Sequence, residues 1–574
     1  MRHHDAVTDP VFQRALAAVR GGDLAKVVQD DLTCKVGRDR AQTWEAIFVL
    51  LMITALEGYG DLHLTSAHRV AERLTQAQSQ RIGLRQPVTY SQIESAVTDL
   101  AEAMKEQIDP RTGEATQARL SLSLTDFLTR MVSQVIPASL RGRATLAVDS
   151  TDYECWSRRR SWASHMKPDD APDALPEQDY EPPKKRSVNE PGWPKVGPDG
   201  RLQHQWDCDP REGYRSGKNL ARKGTFLGWD AHFATQVPEH GGAAEAGLIH
   251  GVALAPAGSY KAEAGLDLLD ALERLGHKPE VLLVDRGYSY AQQEAWALPL
   301  AQRAVEQVLD LHPNQRGTRP GPIKGTLWVD GGLFVESLPK DLRSLPGYSL
   351  GMTREEKALL ARRYDERRAY AFSSMGGPDP QRGTQRFRGP ALAGRVRCAN
   401  TPRSLRVDPG TRPTTGCVKG QDCACGRTLT LAREEMAQLR QSDLFGTTAW
   451  KASYGRRSAV ESVNASVSEH HAHLRRGSTR VSGTCRTGIL LAFILAAVNI
   501  RVLIARYGYD IGNPPPEGTE IKPLPSRSKA LHRTLPFKRR QHRRKDRPPG
   551  TAPPTTGTRW TTPLTTEQHM THTD

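Results

Sequence analysis

Cysteine is scarce in this chain, with 8 among 574 residues. That is too few for a disulfide framework and suits a reducing compartment. Long apolar runs are missing too. The two longest, Ala46–Leu56 and Ile489–Val498, fall short of the roughly 18 residues a membrane-spanning helix needs, and both are expected as buried helices. The opening MRHHDAVTDP has no apolar stretch of the kind a secretory signal carries, and no internal repeat is evident. A mean hydropathy of −0.56 argues against a polytopic membrane protein. Together these absences point to a cytoplasmic protein with no membrane partner.

What is abundant is positive charge. The chain holds 80 Lys+Arg against 64 Asp+Glu, a net +16. Such an excess favours a polyanionic partner, with nucleic acid the leading class. The length implies roughly two to four domains, and a hydrophobic share of 37% fits a folded body with polar segments.

Residues 1–140 read as helical. Overlapping capping boxes, Thr89-x-x-Gln92 and Ser91-x-x-Glu94, precede a stripe of Ile93, Val97 and Leu100. Short helices of this kind suit a DNA-binding region and equally suit plain helix packing. Residues 144–149 form an apolar strand pattern ending in Asp149. From 163 to 224 the composition is rich in Pro, Asp, Lys and Gly, as expected of a loop or disordered insert. Strand patterns return at Phe226–Val237 and Leu248–Ala255, followed by an amphipathic helix over Tyr260–Leu275. Val281-Leu-Leu-Val then reads as a central parallel strand, ending at Asp285. With a helix near 291–304 and a strand near 307–312, the order β–β–β–α–β–α–β implies a mixed α/β sheet. The expected organisation is therefore a helical region over 1–140, an α/β domain over 141–312 and 451–508, an insertion over 313–450, and a disordered basic tail over 509–574.

Asp149 and Asp285 each close an apolar strand. In open α/β sheets, sites form outside the carboxyl ends of strands. Two anions brought together there repel, and a divalent cation with a taste for hard oxygen ligands, Mg²⁺ or Mn²⁺, relieves the repulsion. Strand-end aspartates are also common without any such role. Further on, Tyr454, Arg457 and Glu461 stand at spacings of 0, +3 and +7, within a stripe about 60° wide on one helix face. Arg suits bidentate phosphate contact, and a carboxylate can complete a metal site. An ordinary i, i+4 ion pair between Arg457 and Glu461 is the plainer alternative.

AVDSTD, LLVDRGY and Y-x2-R-x3-E in this order resemble the DDE transposases of bacterial insertion sequences, in the branch with a Tyr-Arg-Glu-Lys signature. The resemblance covers about residues 140–505. It implies an RNase H-like catalytic domain, interrupted between the second Asp and the Glu by an insertion. It makes Asp149, Asp285 and Glu461 the catalytic triad and the ligands of two Mg²⁺ or Mn²⁺ ions, and gives Tyr454, Arg457 and Ser468 to DNA. The implied activity is metal-dependent cleavage of double-stranded DNA at transposon ends, then strand transfer into target DNA, by a homodimer on the nucleoid. Ser468 stands where the family has Lys, so one charge is missing; Arg475, seven residues later, is the nearest replacement if the helix continues. Rival readings are a DNA-binding remnant that no longer cuts, an RNase H-like nuclease without strand transfer, and a zinc-organised binding module.

Cys398, Cys417, Cys423 and Cys425 lie within 28 residues. Four thiolates are the right number for structural Zn²⁺, although the spacing departs from paired CxxC knuckles. Trp328 is a candidate for stacking on a flipped base, with a core position as the alternative. Asp152, Asp207, Asp209 and Glu469 are the competing carboxylates, the middle two expected in solvent. His470, His471 and His473 offer a metal site or a polar helix end. Basic runs at Arg158–Arg160, Lys184–Arg186 and Lys538–Arg547 add sequence-independent affinity for phosphate.

Overall fold

Apolar residues at helical spacing dominate the start of the chain, and this part folds as helices. The computed structural model describes residues 5–524 except 34–40, 85, 109–111, 158–194, 197–201, 204–206, 208, 216–223, 242–244, 260, 290, 350 and 380. Residues 525–574 of the expected tail, with the Lys538–Arg547 run, and the runs at Arg158–Arg160 and Lys184–Arg186 lie outside the described residues. Residues 509–524 are described and correct the expectation of a disordered tail from 509: Asp510 pairs with Arg14 at 2.6 Å, and Tyr509 and Ile511 pack against the main core. Residues 1–523 form one compact unit.

Among the described residues, seven helices run from Asp9 to Gln134: α1 (Asp9–Arg20), α2 (Leu24–Leu32), α3 (Trp44–Gly58), α4 (Leu64–Arg73), α5 (Gln76–Arg81), α6 (Tyr90–Ala103) and α7 (Leu124–Gln134). Of the two overlapping capping boxes at the start of α6, the one from Thr89 to Gln92 forms. In α3, apolar side chains point in every direction and all residues from Ala46 to Ala55 are buried. A helix of that kind has to be surrounded.

The sheet follows. Strand β1 (Thr145–Glu154) lies antiparallel to the 13-residue β3 (Gly224–Gln236). Along the other edge of β3 run β2 (Arg211–Arg215) and then β4 (Ile249–Pro256), both antiparallel. Helix α8 (Lys261–Arg274) crosses over and leads into β5 (Val281–Val284), which pairs parallel with β1. Strand β6 (Glu306–Leu309) pairs parallel with β5. The result is a mixed six-stranded sheet in a mixed α/β fold. The edge strand β2 corrects the expectation of a featureless loop up to residue 224. Its sequence, Arg-Glu-Gly-Tyr-Arg, lacks apolar alternation, and backbone pairing to β3 is what holds it.

The insertion has two small antiparallel sheets. One is built from β7 (Thr318–Pro320), β8 (Thr326–Val329) and β9 (Gly332–Val335); the other from β10 (Ser373–Ser374), β11 (Thr384–Arg388) and β12 (Thr428–Ala432). Between them stands α9 (Arg354–Arg367). They enclose their own small core, in which Trp328 is buried. Trp328 is therefore a core residue of the insertion.

The chain returns through α10 (Thr448–Gly455), α11 (Ser458–Ala465) and α12 (Thr484–Val502). By length and composition Thr484–Tyr507 is apolar enough to cross a membrane, yet 83% of its most apolar window is buried inside the protein. Phe493 of α12 meets Phe48 of α3 and Phe127 of α7, with ring centres 5.4 and 6.4 Å away. The N-terminal helices, α12 and one face of β3 and β4 thus share a continuous core.

Two aspartates expected in solvent serve this arrangement. Asp207 is buried and accepts from the Gly483 backbone N–H at 2.8 Å, and Asp209 accepts from that of Thr484 at 2.7 Å. They satisfy the free N–H groups at the start of α12 and complement its dipole. One buried amide ties the same helix to both neighbours. Asn499 Oδ1 accepts from the Ile249 N–H at 2.9 Å, and its Nδ2 donates to the carbonyls of Ile249 and Val132 at 2.8 and 3.0 Å.

Replacing Asn499 by Ala leaves three buried backbone groups without partners. Each costs about 1 kcal/mol or more, so N499A is expected to lose about 2–4 kcal/mol. A urea transition shifted to lower midpoint at unchanged slope checks this.

Candidate active site

The parallel part of the sheet ends in a row of acids. Across β1, β5 and β6 the last paired residues are Val148, Val284 and Leu309, aligned in register. The next residue in each strand is an aspartate: Asp149, Asp285 and Asp310. The shared register puts all three at one level at the carboxyl edge of the sheet.

Each aspartate has a cation beside it. Arg457 donates to Asp149 Oδ2 at 3.0 Å. Lys261, the first residue of α8, stands 3.6 Å from Asp285 Oδ2. Arg286 donates to Asp310 at 2.8 Å. Burial is the largest influence on Asp149 and raises its pKa; neighbouring Asp285 adds to the rise, while Arg457 and Lys261 oppose it. Burial raises Asp310 as well, against the pull of Arg286. The two backbone contacts are local: Ser150 N–H to Asp149 Oδ1 at 2.9 Å, and Gly287 N–H to Asp285 Oδ1 at 2.8 Å.

Arg457 joins this row to the late helices. Its guanidinium also donates to Glu461 at 3.2 Å, so one side chain links Asp149 to Glu461. The ordinary i, i+4 pair and the longer-range contact are both present. Glu461 is the outer member, with 65% of its side chain exposed. The Arg457 Nε is buried without a hydrogen-bond partner. Val460 and Val463 bury the other side of α11. Gly247 makes that approach possible, because a Cβ there would lie 2.4 Å from a Val463 methyl.

The single helix expected to carry Tyr454, Arg457 and Glu461 on one face is interrupted. α10 ends at Gly455, and Arg456–Arg457 form a tighter turn with i to i+3 bonds before α11 begins. Glycine at that point weakens the helix. Tyr454 stacks on Trp450 at 5.0 Å with the rings nearly parallel. Burial pushes its phenol up to about 12, so at neutral pH it is a hydrogen-bond donor. After α11 a π-turn spans Ser466–His470. There Ser468 donates to the Asn464 carbonyl of its own helix at 2.9 Å. Arg475 lies beyond the helix end, 3.6 Å from Asp61.

The competing acids fall elsewhere. Asp152 is exposed, in register with Asp230, and Glu469 is exposed on the π-turn. His470 and His473 are exposed, and His471 is half-buried, with burial lowering its pKa. Among the described residues, the cluster whose ligand atoms lie close enough to hold a metal together is Cys398, Cys417, Cys423 and Cys425, within 4.8 Å of one another.

Sequence reasoning missed several neighbours. Asp310 follows a four-residue strand containing Glu and Gln, with no apolar run to mark it. Lys261 carries the signal of a cation opening a helix near the strand ends. Tyr288 is fully buried behind the row and hydrogen-bonds to His232 at 2.8 Å. Burial lowers that imidazole to about 3, so it stays neutral.

The donors suit a hard divalent cation: carboxylate oxygens in a partly desolvated setting, with charge to neutralise. Asp149 has a raised folded pKa, so its contribution to stability is fully present below its unfolded value of about 3.9 and is lost as pH rises through the folded value. A bound cation offsets that loss. Truncating Arg457 to Ala breaks a largely buried pair and should cost about 3 kcal/mol. Added Mg²⁺ should raise the melting temperature of R457A more than that of the wild type, and more at pH 8 than at pH 5, where protons compete for Asp149. Thermal unfolding with and without Mg²⁺ at the two pH values checks both.

No family model matches the chain, and no curated protein or solved structure matches it; the functional reading rests on these residues and their arrangement.

Proposed function

We propose that this chain is a metal-dependent polynucleotidyl transferase of the DDE type, a transposase that cuts DNA at element ends and joins them to target DNA. The observation that carries the reading is the meeting of Asp149 and Glu461 through Arg457, a residue 308 positions from Asp149 in sequence, with Asp285 level with Asp149 in the strand register. These are the three acids that the sequence resemblance names. Four strands joined antiparallel (β1 to β4), a crossover helix and two strands parallel to β1, with acids where the parallel pairing stops, support an RNase H-like reading of the sheet.

Asp149, Asp285 and Glu461 would hold two Mg²⁺ or Mn²⁺ ions, which when bound activate an attacking hydroxyl and stabilise a leaving oxygen. The remaining work falls to side chains of this chain. Arg457 lies against the carboxylates, with donors in a planar fork that suits phosphate equally well. With the acids neutralised by bound cations, Arg457 would be available to a phosphate oxygen of the DNA. The protonated Tyr454 phenol, stacked on Trp450, would act as a second donor. Net positive charge supplies affinity for DNA that falls with salt. Two ends held at once imply a homodimer on double-stranded DNA, and the nucleoid as its place of action.

A second reading, a DNA-binding remnant that no longer cuts, has one observation in its favour. Ser468 gives its hydroxyl to its own helix, and Arg475 lies beyond the helix end, so neither extends the family's charged stripe.

Cutting of a labelled duplex bearing the element's own terminal repeat separates the two. The wild type is expected to cut at the repeat boundary in Mg²⁺. Asp285→Ala and Glu461→Gln are expected to lower cutting by at least about 10³-fold, with repeat binding within about threefold of the wild type, because they remove metal ligands rather than DNA contacts. Undiminished cutting by D285A would overturn the triad. Binding without cutting by the wild type would establish the remnant.

A further inference from the structure

We infer that Cys398, Cys417, Cys423 and Cys425 bind a single Zn²⁺ ion that staples the insertion together. This site is separate from the acidic row, and the inference does not depend on the transposase reading.

The distances carry it. Sγ of Cys398 lies 3.7 Å from that of Cys423, and Sγ of Cys417 lies 3.6 Å from that of Cys425. All four sulfurs lie within 4.8 Å of one another. A tetrahedron of sulfurs about 2.3 Å from a central zinc has edges of about 3.8 Å. A disulfide needs about 2.05 Å, and all four cysteines are free. Iron–sulfur clusters interpose several iron and sulfide atoms and spread their cysteines more widely. The observed set therefore has the size of a mononuclear site.

The surroundings are built for thiolates. Asn400 Nδ2 donates to Cys423 Sγ at 3.5 Å, and the Ser337 hydroxyl lies 3.6 Å from Cys425 Sγ. Asn400 also donates to the carbonyls of Val418 and Gln421 at 3.0 and 2.8 Å, and accepts from the Gly420 N–H at 2.8 Å. One amide thus fixes the arm carrying Cys398 against the loop carrying Cys417 and Cys423. Donors beside metal ligands orient them and tune their basicity. Cys398 and Cys425 are buried. Burial raises the Cys425 thiol when no cation is present, so binding would release its proton.

The need for a staple is equally plain. The insertion's core is small, and its cysteine arms from 394 to 427 consist almost wholly of turns and one short 3₁₀ segment. Small cores commonly require metal or disulfide cross-links. The four sulfurs tie this loop-rich arm to the turn after β9, through Ser337, and to the start of β12.

Full-length protein purified in reducing buffer tests the assignment. Elemental analysis after gel filtration should give about one zinc per chain, and Co²⁺ exchanged for zinc should give the thiolate-to-metal charge-transfer and intense d–d bands of a tetrahedral four-sulfur site. Cys423→Ser with Cys425→Ser should abolish zinc binding. Ser337→Ala keeps all four ligands and should weaken zinc affinity by about tenfold. Chelation of the wild type, which needs no variant to fold, should speed alkylation of Cys398 and Cys425 and open residues 394–427 to protease before the rest of the unit. A chain that carries no metal and whose four thiols alkylate equally fast with and without chelator overturns the inference. So does iron in place of zinc, or a pair of disulfides in mass spectra of the native protein.

Discussion

Three aspartates at one level of a sheet edge repel one another, and that repulsion is the constraint on which the rest of the molecule turns. Parallel pairing makes the row unavoidable, since β5 and β6 stop one residue short of their acids and β1, which runs on to Glu154, carries Asp149 at the same level. Burial then disfavours the ionised forms of Asp149 and Asp310. The protein answers with cations from three different elements: Arg457 after α10, Lys261 at the start of α8, and Arg286 just past β5. None of these lies on, or directly after, the strand whose acid it neutralises. The crossover helix and the returning helices are therefore held to the sheet by charge as well as by apolar packing.

That return depends on α12. An all-apolar helix of this length is stable in water only when enclosed, and α3, α7 and the face of β3 and β4 enclose it. Asp207 and Asp209 fix where it begins, and Asn499 fixes its rotation against β4. α11 comes just before α12 in the chain and packs on the sheet through Val463 beside Gly247. The N-terminal helices thus contribute to the same core that sets the late helices in place. Val463 of α11 belongs to the same continuous core as α3 and α7.

Much of this was legible in the sequence. Val281–Val284 and the strand ending at Asp149 are apolar runs of strand length closed by an acid, so their type and their site potential could be read together. The amphipathic pattern of α8 and the all-apolar patterns of α3 and α12 are similarly direct. Other parts were illegible for physical reasons. Asp310 follows a strand whose burial comes from β5 and α10, not from its own composition. The capping by Asp207 and Asp209 joins groups about 275 residues apart, and no local pattern marks such a pair. The cysteines were countable, but the way Cys398 meets Cys423 and Cys417 meets Cys425 depends on the insertion's turns. The break at Gly455 was present as a residue, yet the heptad-like spacing around it reads as one unbroken helix.

Arg457 gathers these strands of argument into one side chain. Its guanidinium sits where positive charge is needed, yet its Nε has no partner, so the present arrangement does not use all its donors. A planar fork with one unsatisfied N–H, held between two carboxylates that also suit a divalent cation, has a second favourable arrangement within reach. With cations on the acids, the electrostatic reason for Arg457 to face them vanishes, and a phosphate dianion or diester would satisfy the same fork with the orphaned N–H included. On the proposed reading, charge exchange of this sort would link metal occupancy to substrate grip without any movement of the sheet. It also explains why a stable fold can tolerate a row of acids before its ligands arrive: the residue that would hold the substrate first holds the site.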